Sequence, residues 1–273
     1  MSKFHAERKL SVSMFTLNWA KDIHGDVSIE QIQKVMKSLD IEFLEMVPSY
    51  IWGNDWKWSE AELENFPIKV SSIQSLLYGT EICLSSYNEA PEIHNNWLKR
   101  KQKIAEISHL LKPECLILGS PQTRKKSKMG EEFSLLEQKK YISELLKAIP
   151  ITVGLGYENC SHEQGAEFAL GLKGALNVIT SIPNVNFGLN FDFESWVVET
   201  GESWREELDQ LWSQLFGVRV LNIQFGQSIL EPSVLQFLIS LSERHDSPLG
   251  LEDVRLNELE EIQEIVQLIR NHP

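Results

Sequence analysis

The chain has 273 residues, with 26 basic and 39 acidic side chains and a net charge of −13. That length is close to the roughly 250 residues of a complete (β/α)8 barrel, and the negative charge argues against non-specific nucleic-acid binding because a polyanion is repelled. Cys83, Cys115 and Cys160 are odd in number and free of any CxxC spacing, which predicts reduced thiols in a cytoplasmic protein. The polar segment from Met1 to Leu10 and the lack of a run of roughly twenty apolar residues predict neither a secretory signal nor a membrane span.

In chain order, short apolar runs alternate with longer segments of helical period, the pattern of parallel strands joined by crossover helices. Strands are predicted over 10–18, 41–47, 68–74, 115–118, 152–158, 185–192, 218–224 and 249–253. Ser28 with Gln31 reads as a capping box, opening a helix whose Ile29, Ile32, Val35, Met36 and Leu39 share a face. Ser203 with Glu206 repeats the signal before Leu208, Leu211, Trp212 and Leu215, and Asn257 with Glu260 repeats it before Ile262, Ile265, Val266 and Ile269. Further helices are predicted over 97–111, 135–149, 167–179 and 232–243, and a short one over 60–65. No linker or repeat divides residues 1–273, so the expectation is α/β, a single-domain (β/α)8 TIM barrel. The rival, a doubly wound sheet, would place a Gly-rich phosphate loop after its first strand, where this chain reads Asn18-Trp19-Ala20-Lys21-Asp22.

In such a barrel the strand C-termini form the working face. Glu158, Asp192 and Glu252 end strands five, six and eight. Carboxylates gathered there would repel one another, raise one another's pKa values and attract a hard divalent cation. A cation so held could polarise a carbonyl or hydroxyl while a carboxylate beside it moves a proton at carbon. The plainer reading is that each carboxylate caps a strand and binds loop amides. Glu45 and Gln74, ending strands two and three, are further candidate ligand contacts, and His24 in a mouth loop is either an acid or base or a surface residue, as is His162. The loop after strand four gathers Arg124, Lys125, Lys126 and Lys128. Its functional reading is capture of a phosphate or carboxylate, with Arg124 as a bidentate fork, against a solvated loop. Trp19, Tyr50, Trp52, Trp56, Trp58, Tyr78 and Trp196 follow strand ends, where aromatic faces either pack a sugar or roof the barrel.

The order Glu158-Asn159 after strand five, Gly188-x-x-x-Asp192 in strand six, an alternating strand seven and Leu251-Glu252 after strand eight, with Gly119-Ser120-Pro121 followed by Arg124, resembles the xylose isomerase-like barrel superfamily. Within it, the chain is most similar to the sugar phosphate isomerases and epimerases. The resemblance implies a divalent metal held by Glu158, Asp192, the strand-seven position Asn222 and Glu252. It also implies Glu158 and Glu252 as acid and base on opposite faces of a small sugar or sugar phosphate. The pattern departs at two places where the family has histidine: Asn222 in strand seven, and Ser195 three residues after Asp192, which is expected among the substrate contacts. Asparagine offers a carbonyl oxygen, so Mn²⁺ or Mg²⁺ is favoured over Zn²⁺. The same departures support an alternative, a non-catalytic or metal-independent barrel that binds a small polar ligand. The apurinic endonuclease branch uses a His-rich zinc cluster, for which His24 and His162 are too few.

Overall fold

Each apolar run forms one strand of a closed parallel barrel: β1 Leu10–Ser13, β2 Phe43–Met46, β3 Lys69–Ile73, β4 Cys115–Leu118, β5 Gly154–Glu158, β6 Phe187–Asp192, β7 Val220–Phe225 and β8 Leu249–Leu251. They follow chain order around the ring, and β8 pairs back onto β1. This computed structural model describes residues 9–17, 28–85, 91–256 and 258–272; Trp19, His24 and Asn257 lie outside the described residues.

The helices are α1 Ile29–Leu39, α2 Pro48–Trp52, α3 Glu60–Glu64, α4 Pro91–Leu111, α5 Glu131–Ala148, α6 Gly171–Thr180, α7 Phe193–Thr200, α8 Trp204–Gly217, α9 Pro232–His245 and α10 Leu259–Asn271. Their apolar stripes lie on the barrel as the periodicity requires: Ile32, Met36 and Leu39 of α1 and Ile262, Ile265, Val266 and Ile269 of α10 are buried. Ser28 caps α1 by accepting from the Gln31 amide. Among the described residues no helix is long and apolar enough to cross a membrane.

The local signals and the structure differ in several places. The expected capping box at Ser203 is absent, because Gly201–Ser203 is a 3-10 turn and the Ser203 hydroxyl donates back to the Thr200 carbonyl at 2.7 Å. A full capping box sits instead at Ser59 and Glu62, opening the short α3. The helix predicted over 167–179 begins later, at Gly171, since Ala169, with φ of 54°, breaks the chain before it and Gly171 itself enters the helix at φ 59°. Helices α2 and α7 have no counterpart among the predicted elements; α7 is capped by Asp192, whose side chain accepts from the Ser195 amide.

The inside of the barrel is polar. Ser11, Ser13, Glu45, Ser72, Gln74, Asn190, Asn222 and Gln224 are all buried, where branched apolar side chains usually fill the layers of such a barrel. Glycine makes room for them: a Cβ on Gly250 of β8 would lie 3.3 Å from the Ser11 hydroxyl and 3.4 Å from Glu45 Oε2.

Candidate active site

Glu45 lies at the floor of the site. It is fully buried, and both of its oxygens are doubly bonded: Oε2 accepts from Ser72 Oγ at 2.7 Å and Asn222 Nδ2 at 2.8 Å, and Oε1 from Gln74 Nε2 at 2.9 Å and Gln224 Nε2 at 2.6 Å. Four donors occupy the four lone-pair positions a carboxylate has. Gln74 and Gln224 also donate to Glu252 Oε2, at 2.8 and 2.6 Å. Asn222 Nδ2 further donates to Asn190 Oδ1 at 2.9 Å, and Asn190 Nδ2 donates to Gln224 Oε1 at 2.5 Å. A directed chain of amides therefore runs from Asn222 through Asn190 and Gln224 to Glu252.

Above this floor, Glu158, Asp192 and Glu252 border one cavity of about 730 Å³, also lined by Phe15, Gln74, Tyr78 and the Gly119–Thr123 segment. Glu158 is packed over Gly119, where a Cβ would stand 2.0 Å from Glu158 Oε2. Its hydrogen bonds are long: 3.5 Å from Asn190 Nδ2 and 3.7 Å from the Cys160 thiol. Burial first, then the charge of Asp192, push the Glu158 carboxyl up to about 8. Asp192 is pushed to about 6, by burial against the pull of its bonds from the Ser195 amide and hydroxyl. Burial and the neighbouring Glu45 carry Glu252 well above the ordinary carboxylate range.

Register decides which strand-seven residue stands at this level. Asp192 pairs with Gln224, whereas Asn222 pairs with Asn190 one layer deeper, because the β6–β7 register shifts between Leu189 and Asn190. Gln224, not Asn222, is the neighbour of Asp192. The Asn222 carbonyl oxygen is buried without a hydrogen-bond partner. Among the described residues no three His, Cys, Asp or Glu side chains are grouped so as to hold a metal ion. The N–H groups of Gln74, Asn222 and Gln224 are aimed at the carboxylates between the strands, and N–H groups repel a cation. The donor set present does not fit a divalent metal.

The expected anion-binding role of Arg124 is overturned. Its side chain is fully buried, its guanidinium lies 3.9 Å over the Tyr157 ring, and it donates to the carbonyls of Leu118 and Glu158, at 2.6 Å each. It ties the ends of β4 and β5 together. Lys125 does border the cavity, but it is paired with Glu167 at 3.1 Å. Ser195 is held by Asp192 and by Gln164 Nε2 at 2.6 Å, which itself lines the cavity.

Among the described candidates, Tyr78, half exposed, is the aromatic that lines the cavity, beside Phe15, on which Tyr50 packs. Trp52, Trp56 and Trp58 pack on one another, with Arg100 and Lys103 of α4 over the rings of Trp56 and Trp58, and Trp196 is buried against Phe191, Phe193 and Trp204. Those four belong to the roof. Sequence reasoning missed Asn190, Gln224, Ser13, Ser72 and Gln164; the signal for most of them is a polar residue at every second position of a parallel strand.

No family model matches the chain, and no curated protein sequence is similar to it. Its fold is shared with solved structures of low identity. A probable 3-DHS dehydratase from Bacillus anthracis aligns with a TM-score of 0.66 and 12% identity over 97% of this chain and 100% of that one. A 3-keto-D-glucoside 4-epimerase from E. coli gives 0.66 and 11%, over 97% and 100%. A D-psicose 3-epimerase with D-tagatose, from Clostridium cellulolyticum H10, gives 0.65 and 12%, over 96% and 98%.

Proposed function

From a barrel shared with sugar epimerases and a mouth bordered by raised carboxyls, we propose that this protein is an isomerase or epimerase acting on a small sugar. The observation that carries the reading is that Glu158 and Glu252 border one cavity from strands three apart on the ring, the first pushed up to about 8 and the second well above the ordinary carboxylate range. A carboxyl near 8 is matched to taking and returning a proton near neutral pH. Glu158, loosely bonded, accepts the proton from the carbon beside the sugar carbonyl. Glu252, whose proton affinity is raised by burial and the neighbouring Glu45, returns one to the adjacent position or the opposite face. The C–H bond breaks to leave an enediolate, and the new C–H bond forms as the Glu252 O–H bond breaks, with no net oxidation; return to the adjacent carbon also moves the neighbouring hydroxyl proton to the former carbonyl oxygen. Tyr78 and Phe15 offer faces to the apolar side of the ring. With Arg124 turned away and Lys125 already paired, the carboxyl-lined cavity favours an uncharged sugar over a sugar phosphate.

The test follows exchange of the carbon-bound proton next to the carbonyl of D-tagatose and D-fructose in D₂O by NMR, with D-fructose 6-phosphate as the charged comparison. The wild type is expected to exchange a free ketose faster than the phosphate, and Glu158→Gln to lower that rate at least a hundredfold, the order of a lost general base. Full exchange by Glu158→Gln would overturn the assignment. Saturable binding of the sugars without exchange by the wild type would favour the alternative, a barrel that binds a small polar ligand.

A further inference from the structure

The polar interior asks for its own explanation, because buried amides must each find partners. Gln74, just after β3, and Asn222 and Gln224 of β7 bring three NH₂ groups to one point, and all three donate to Glu45, two of them also to Glu252. We propose that the centre of this barrel works without a divalent cation, and that these three amides stand in the cation's place, holding Glu45 and Glu252 side by side.

The orientation of each amide is fixed by its neighbours. Turning Gln224 over would put its oxygen against Glu45 and Glu252, where Nε2 now sits 2.6 Å from each, and its NH₂ against the NH₂ of Asn190. Turning Asn222 over would put its oxygen against Glu45 Oε2 and Asn190 Oδ1. The positive ends of the amide dipoles therefore all face the carboxylates, as a cation would. Glu45, with both oxygens doubly bonded, has no lone pair to offer an ion without orphaning a buried donor. The strand-seven position level with Asp192 is Gln224, whose oxygen is already committed to Asn190. Asp192 in turn is committed to the amide and hydroxyl of Ser195.

This inference rests on reading the mouth as the working site, but its test needs no turnover, so the two can fail separately. The full chain, purified without chelator, is analysed for bound metal by elemental analysis. It is then melted with EDTA and with Mg²⁺, Mn²⁺, Co²⁺ or Zn²⁺. We expect substoichiometric metal and superimposed melting curves. Stoichiometric metal, or a rise in Tm of roughly 5 °C with any of these ions, the order expected of a site saturated about a hundredfold over its Kd, would overturn the proposal. Gln224→His and Gln224→Glu replace a donor level with Asp192 by a metal-ligating group. At least one of them, folded by circular dichroism, is expected to gain cation-dependent stabilisation that the wild type lacks. If both fold and neither responds to any ion, the amides are not what excludes the cation, and the proposal fails.

Discussion

Lowering the pH should stabilise this protein over a range in which acidic proteins usually change little, and Glu158→Gln should make that dependence measurably shallower. The Glu158 carboxyl moves from 4.5 to about 8 on folding, chiefly through burial and then through Asp192. Between those values the folded chain binds more protons than the unfolded one, so stability falls as pH rises: it is fully present below 4.5 and lost by about 8. A shift of about 3.5 units is worth about 5 kcal/mol at ~1.4 kcal/mol per unit. The carboxyl faces a cavity open to water, and screening leaves about half of that. About two-thirds of the remainder falls between about pH 5.5 and 8.5, so Glu158 should cost the wild type about 2 kcal/mol, or roughly 3–4 °C in Tm, across that window. The assay is calorimetry of wild type and Glu158→Gln side by side at constant ionic strength. Subtracting the two cancels His245, whose pKa is lowered by burial and whose effect has the opposite sign. Asp192, pushed up to about 6, and Glu252, pushed well above the ordinary carboxylate range, leave a slope of the same sign in both proteins, so the difference between the two curves reports Glu158. Parallel curves for the two proteins would refute the reasoning, since the slope would then come from elsewhere.

Two substitutions test the remaining assignments. Arg124→Leu orphans the carbonyls of Leu118 and Glu158 and removes the contact with Tyr157; it should cost roughly 3 kcal/mol in urea unfolding, with Arg124→Lys recovering little because a point charge cannot span both carbonyls. Weakened binding of inorganic phosphate with unchanged stability would instead restore an anion-binding role. Gly119→Ala puts a methyl group where Glu158 Oε2 stands, 2.0 Å from the new Cβ. The carboxyl must swing away, so sugar proton exchange should fall by roughly 10²-fold while the melting temperature changes by a few degrees at most; unchanged exchange would separate Glu158 from the chemistry.

The eight strands and the helix stripes were legible because periodicity is local. The level of a residue within the barrel was not. Asn222 and Gln224 lie two apart on β7 and so share a face, and alternation alone identifies that face without saying which of the two meets Asp192. That depends on the shifted pairing between β6 and β7 near Leu189 and Asn190, a property of two strands together. Arg124 was misread for a related reason: its neighbours in sequence suggest a mouth loop, but its guanidinium folds back onto carbonyls contributed by β4 and β5. The amide cluster did leave a trace. Parallel barrel strands are covered by helices outside and packed inside, so they usually read as continuous apolar runs. Here Ser11 and Ser13, Ser72 and Gln74, Asn190 and Asp192, and Asn222 and Gln224 are polar at every second position. The helices of this fold bury the outer face of each strand against their own apolar stripes. A polar period of two must then point inward, and a barrel with polar faces on β1, β3, β6 and β7 has to satisfy them among themselves. The interior network follows from the sequence by that step, with Glu45 of β2 and Glu252 just after β8 supplying the carboxylates the amides need.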